Sequence, residues 1–219
     1  MDVAASMNSF VTGLITSINH LAATFGRIVA RIFFAAQWRL LEELLLTNKS
    51  HVESSIPSDL GHLPAALVAC EDKRFHSHRG VDTYSIGRAF FRVISRRSTE
   101  GASTITQQLV RVYSGDYRYS VGRKFKEIAL ATLADELLTK NDQIRLYLYK
   151  AYFGWKMNGL NQATHRLGYI APFSKTDAAE IVARLKYPEP HNPSDARRSQ
   201  IRARVNHILE LMKEGGGPA

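Results

Sequence analysis

Glu71-Asp72-Lys73-Arg74-Phe75-His76-Ser77-His78-Arg79-Gly80-Val81-Asp82 packs three acids, two histidines and three basic residues into twelve positions, directly after an apolar run. Such density at the end of an apolar stretch predicts a cleft, where burial and neighbouring charges retune a carboxylate for acid–base work. A solvated charged loop would carry the same composition. His76 and His78 have H-x-H spacing, a weak metal signal without a third ligand.

Two further clusters lie downstream. Gly101-Ala102-Ser103-Thr104-Ile105-Thr106-Gln107-Gln108-Leu109-Val110-Arg111 places glycine and hydroxyls just before a helical apolar pattern. Thr104 and Gln107 have capping-box spacing, so a helix is predicted to begin near Ser103. Its free N–H groups would suit an anion, although an ordinary N-cap reads the same way. In Arg123-Lys124-Phe125-Lys126-Glu127, the first two residues stand four and three positions before Glu127. All three therefore share a helix face, as an anion site or as a surface salt-bridge patch.

Together, in this order and spacing, the clusters resemble the signature segments of the peptidoglycan glycosyltransferases (glycosyltransferase family 51), the monofunctional transglycosylases among them. The first family motif, E-D-x-x-F-x-x-H-x-G-x-D, is filled by Glu71, Asp72, Phe75, His78, Gly80 and Asp82. G-G-S-T-I-T-Q-Q is matched by Gly101 and Ser103–Gln108, with Ala102 in place of one glycine. R-K-x-x-E is matched by Arg123, Lys124 and Glu127. Later segments depart: Tyr149 replaces an Asn, Arg145 stands where Glu is usual, and Arg166-Leu167-Gly168-Tyr169 replaces Y-F-G-K.

The resemblance implies a mostly α fold: a lysozyme-like helical lobe, a small membrane-associated jaw at about 83–101, and an N-terminal amphipathic or membrane-anchoring helix. It implies polymerisation of lipid II into glycan strands with release of undecaprenyl pyrophosphate. Glu71 would be the general base and Glu127 the second catalytic acid, ordering nearby cations or binding a metal. Asp72, Phe75, His78, Ser103, Thr104, Gln107, Gln108, Arg111, Arg123 and Lys124 would bind substrate. A divalent cation (Mg or Mn) is the expected cofactor. Lipid II, the growing glycan strand, the membrane surface and other cell-wall synthesis proteins are the expected partners. The catalytic domain would face outward on the bacterial cytoplasmic (inner) membrane. Glu71 and Glu127 lie far apart in sequence, so only the fold can bring them to one site.

The whole chain is consistent with this. It has 219 residues, 45% hydrophobic, with one cysteine and a formal charge of +9. One cysteine excludes an internal disulfide framework and a multi-cysteine metal site. All 29 Lys and Arg follow Gly26, so an anionic partner is expected. No recognised nucleic-acid motif is present, and nucleic acid is not an expected partner. A lysozyme-like hydrolase would have no use for the Arg/Lys-rich motifs, and a diverged lipid II-binding relative without turnover is the alternative reading.

Val3 to Gly26 carries no Asp, Glu, Lys or Arg, but polar residues interrupt it. Phe10, Leu14, Ile18, Leu21, Phe25, Ile28 and Ile32 step by threes and fours, which predicts an amphipathic helix rather than a span. The basic flank after this run, counted alone, would place the main domain in the cytoplasm. Residues 1–47 are read as this N-terminal helical region, 48–62 as a linker and 63–214 as the catalytic domain. Helices are predicted at 65–71, from 125 to an end near 139–141, and at 144–153, 161–167 and 178–187, with a last one from Pro193 to Gly215. No period-2 strand is predicted.

Overall fold

The computed structural model describes residues 3–87 and 103–214, with side chains from Val11 onward. Most of the expected jaw lies outside the described residues, together with Gly101 and Ala102. The chain is mostly helical and divides into two compact units. The first comprises Met1–Leu44 and Arg74–Gln143, the second Leu45–Lys73 and Ile144–Ala219.

In the first unit, α1 (Val3–Phe33) packs against α5 (Val121–Leu137), and α4 (Ile105–Ser114) packs on α5 from its own side. The small side chains of α1 make the contact: Ala23, Gly26, Val29 and Ala30 are buried. A Cβ on Gly26 would come within 2.8 Å of Thr132 Cγ2. Asn19, also buried, accepts from the backbone N–H and the hydroxyl of Thr83 through Oδ1, at 2.9 and 2.6 Å. The predicted apolar stripe points elsewhere. Leu14, Ile18, Leu21, Phe25, Ile28 and Ile32 are all exposed. No described helix is long and apolar enough to cross a membrane.

The loop after Arg74 is held from several directions. Phe75 opens a short 3-10 turn, Phe75–Ser77, and is fully buried. Lys140, at the start of α6 (Lys140–Lys150), donates to the His78 carbonyl and to Asp135, and its ammonium lies 4.4 Å from the Phe75 ring centroid. Gly80 adopts φ +80°, and a Cβ there would collide with the Ala131 carbonyl on α5. Its own carbonyl accepts from Thr104 Oγ1 at 2.8 Å.

In the second unit, α3 (Leu63–Glu71) packs on α8 (Lys175–Lys186) and α9 (Asp195–Glu214), and those two pack on each other. Leu63, Leu67, Phe153, Ile181, Val182 and Ile208 are among its buried residues. Ser174 and Asp177 form a reciprocal capping box at the start of α8. Ser194 Oγ accepts from Arg197 N–H, so the last helix begins after Pro193 rather than at it.

Three expectations are corrected. The stretch 48–55, read as linker, continues α2 (Ala35–Ser55). Arg145 explains how that end is closed: its guanidinium donates to the carbonyls of Ile56 and Pro57 at 3.0 and 2.9 Å. The helix read over 144–153 stops at Lys150, and 152–154 is a strand instead. β1 (Tyr152–Gly154) pairs antiparallel with β2 (Met157–Asn158), and Gly154 bridges to Glu189. Strands of three and two residues are too short to show an alternating pattern, which is why none was expected. α7 (Leu160–Leu167) follows as predicted.

Gly80→Ala is expected to destabilise the protein by roughly 1–3 kcal/mol, because both the left-handed backbone and the Ala131 carbonyl oppose a side chain. Gly13→Ala, in the open on α1 with nothing within 4 Å, should not destabilise. Urea unfolding of the two variants checks the contrast.

Candidate active site

The first unit builds a cationic cradle on one carboxylate. Ser120 caps α5 by accepting from Arg123 N–H, so Arg123, Lys124 and Glu127 fall within the first two turns, as the spacing predicted. Glu127 is 3% exposed, and its two oxygens accept from three cations. Arg111, from α4, donates through Nε at 2.9 Å and Nη2 at 3.0 Å. Lys124 Nζ lies 2.6 Å from Oε1, and Arg123 Nη1 bonds Oε2.

The motif around Ser103 closes on the same group. Thr104 is the N-cap of α4 and its hydroxyl accepts from Gln107 N–H, so half of the capping box forms. The other half does not: Gln107 Oε1 accepts from Lys124 Nζ at 2.7 Å. Ser103 Oγ accepts from Lys124 Nζ at 2.8 Å and from Arg111 Nη2 at 3.4 Å. Ser103, Gln107, Arg111, Arg123, Lys124 and Glu127 are therefore brought together.

Three positive side chains around one carboxylate leave an excess of positive charge beside the N-terminal end of α4. Burial pushes the Glu127 carboxyl up, but hydrogen bonds from Arg111 and Lys124 outweigh it, and the net direction is down. Burial is likewise the largest influence on Lys124; it lowers that ammonium's pKa despite the pull of Glu127. Both Glu127 oxygens are occupied by cations. Among the described residues, no group of three or more His, Cys, Asp or Glu side chains is placed to hold a metal ion. This donor set does not fit a divalent cation held by the protein through Glu127.

Glu71 ends α3 in the second unit, where Arg204 Nη2 of α9 stands 3.3 Å from Oε1. Cys70 donates its thiol to the same oxygen at 3.5 Å. Burial, reinforced by the Glu71 charge, pushes that thiol up to about 12, so it stays protonated as a donor. Arg204 and Cys70 were not foreseen. Arg204 is one of several basic residues on a long helix, and nothing in its spacing singles it out.

The remaining expected site residues lie deeper. Asp72 and His78 are buried, Phe75 and Thr104 hold loop and helix in place, and Gln108 is half-buried on α4. Asp82, the last motif position, is buried and pairs with Arg74, which lies 4.0 Å from the Tyr84 ring centroid. Burial pushes the Asp82 carboxyl up, yet the bonds from Arg74 and Ser85 win and lower it.

Because the folded Glu127 is held below its unfolded value, its contribution is present above the ordinary carboxylate range and is lost as pH falls through the lowered value. Glu127→Gln should cost about 3–5 kcal/mol at neutral pH, the scale of leaving buried charge uncompensated. The variant should lose less stability than wild type on acidification, which urea unfolding at several pH values tests.

Similarity to known proteins extends over most of the chain. The family described as transglycosylase matches residues 40–213. Penicillin-binding protein 1A of Rickettsia prowazekii (strain Madrid E) is 32% identical over 205 residues, covering 90% of this chain and 25% of that protein. Penicillin-binding protein 1A of Escherichia coli (strain K12) is 35% identical over 173 residues, covering 74% and 20%. A monofunctional glycosyltransferase of Staphylococcus saprophyticus is 31% identical over 182 residues, covering 78% of this chain and 67% of that one. The chain thus spans about a quarter of the length of the first of these relatives. With a family match extending over most of its length, the chain belongs to the transglycosylase family.

Proposed function

We propose that the protein polymerises peptidoglycan glycan strands, transferring the lipid-linked chain to the 4-hydroxyl of lipid II with release of undecaprenyl pyrophosphate. The observation that carries this reading is the convergence of Arg111, Arg123, Lys124 and Ser103 around Glu127 at the head of a helix. That is the chemistry a departing pyrophosphate requires: fixed positive charge where negative charge develops.

In this reading the Glu71 carboxylate takes the proton from the acceptor 4-hydroxyl. The freed oxygen attacks the anomeric carbon of the donor, and the bond to the pyrophosphate oxygen breaks with inversion. The electron pair leaves on the pyrophosphate, which the cradle stabilises, and the proton remains on Glu71. Arg204 and the Cys70 thiol orient that carboxylate. Glu127 orders the cations, while Asp72, Phe75, His78, Thr104 and Gln108 are substrate-binding residues in the same reading. A divalent cation, if one is used, would supply further positive charge to the pyrophosphate; every step above is carried by the chain's own residues.

The α1 stripe supports a membrane-surface location. Its large apolar residues are exposed while Arg27 and Arg31 pair with Glu136 on the same unit. Such a helix lies in the interface plane with its apolar side in lipid. We place the protein on the outer face of a bacterial cytoplasmic membrane, where lipid II is presented. The lysozyme-like lobe and association with other cell-wall synthesis proteins belong to the same reading.

Glu71→Gln should lower lipid II turnover about 10²–10⁴-fold while leaving the fold intact, the usual contribution of a general base. Turnover in detergent with a divalent metal, comparing both proteins, is the test; wild-type speed in the variant rejects the base assignment. Phe25→Glu with Ile28→Glu, both at exposed positions, should abolish co-flotation with anionic lipid vesicles and leave thermal stability unchanged.

A further inference from the structure

The turn between α4 and α5, residues 115–120, has no part in the scheme above, yet its backbone is firmly held. Gly115 ends α4 at φ +63°, its N–H donating to the Arg111 carbonyl, and Ser120 caps α5 by accepting from Arg123 N–H. Between them, Asp116 accepts twice from the Arg118 guanidinium, at 2.9 Å each, and once from Lys126 Nζ at 2.8 Å.

What this held turn presents is apolar. Tyr119 is fully exposed, Val121 89% exposed and Tyr117 62%. Ser120 is extended, at φ −149° and ψ 150°, so its neighbours Tyr119 and Val121 point to one side. Phe125 stands four residues after Val121, on the same face of α5, and is half-exposed. Its ring meets Phe34 edge-on at 6.4 Å between centroids. Phe34 directly follows α1, where Ile28, Ile32 and Phe33 are also exposed. Within the first unit the turn therefore adjoins the exposed apolar residues of α1.

Charge points to the same medium. From Arg111 to Lys126 there are five basic residues and one acid. That acid, Asp116, is already taken by Arg118 and Lys126. A tyrosine has an apolar ring and a polar tip, which suits the boundary between headgroups and acyl chains. Cations beside it suit anionic headgroups.

We infer that this turn is a lipid contact in its own right, with Tyr117, Tyr119 and Val121 set into the interface of an anionic lipid surface. It rests on the membrane-surface location proposed above and adds a consequence for the site. Val121 opens α5 and Arg123 is two residues on, a rise of about 3 Å along the helix. The contact thus holds the cationic cradle at headgroup depth, where the phosphates of a lipid-linked donor lie.

The test uses the full chain and vesicles of equal parts phosphatidylglycerol and phosphatidylcholine. With Trp38→Phe, Trp155→Phe and Tyr119→Trp combined, the one indole reports from the turn. Its emission should shift to the blue on vesicle binding and be quenched most by lipids brominated near the headgroup end of the acyl chain. In the native background, Tyr117→Ser with Tyr119→Ser should weaken partitioning about tenfold at an unchanged melting temperature. An indole that stays unquenched while the protein floats with vesicles overturns the inference and leaves α1 as the contact. Unchanged partitioning of the double serine variant overturns it too. A blue shift without vesicles that grows with protein concentration would put a second copy on the turn, which also overturns the lipid contact. Failure of the native protein to float rejects the membrane-surface location itself.

Discussion

Glu127 is a single nearly buried carboxylate on which Arg111, Arg123 and Lys124 all converge. Three cations drawn from two helices repel one another, and only a shared counter-charge keeps them adjacent in a partly dry environment. The same carboxylate ties α4 to α5 and fixes Lys124 where it also reaches Ser103 and Gln107. Because the counter-charge neutralises less than it gathers, the cluster retains affinity for an anion. Stability and the proposed function thus draw on one residue: the ion pairs hold the helices together, and the surplus positive charge suits a phosphate.

A comparable division of labour runs along α1. A helix normally turns its large apolar residues inward, but this one meets α5 with Ala23, Gly26 and Ala30 and leaves Leu21, Phe25 and Ile32 outside. Small residues let the backbones approach closely, and the Gly26–Thr132 approach would not survive even a methyl group without adjustment. The outward stripe is then free for another apolar medium. The lipid surface proposed above would cover it without requiring the helix to span.

The departures from the family pattern divide by what they touch. Arg145, unusual in charge for its position, satisfies backbone carbonyls that end α2 and so has a structural reason. Buried carbonyls without donors are costly, and a guanidinium serves two at once. Arg166, in a segment that departs from the pattern, instead packs 4.8 Å from the Trp155 ring centroid and donates to the Trp155 carbonyl.

Much of this was legible from residues alone. Helix caps and i, i+3, i+4 relations are local, so Thr104 and the Arg123–Lys124–Glu127 face could be read directly from spacing. The family motifs marked Glu71 and the Ser103–Gln108 segment for the same reason: they are short, ordered and contiguous. Partners far apart in sequence were beyond reach. Nothing local says that Arg111 spends its guanidinium on Glu127, that Arg204 reaches Glu71 from the last helix, or that Lys140 supports His78. The amphipathic period of α1 was plain, yet which side meets the protein depended on Thr132 and its neighbours offering room for small residues only. Periodicity encodes the existence of a face. Which face is buried is decided by complementary shape and charge, and those exist only once the chain has folded.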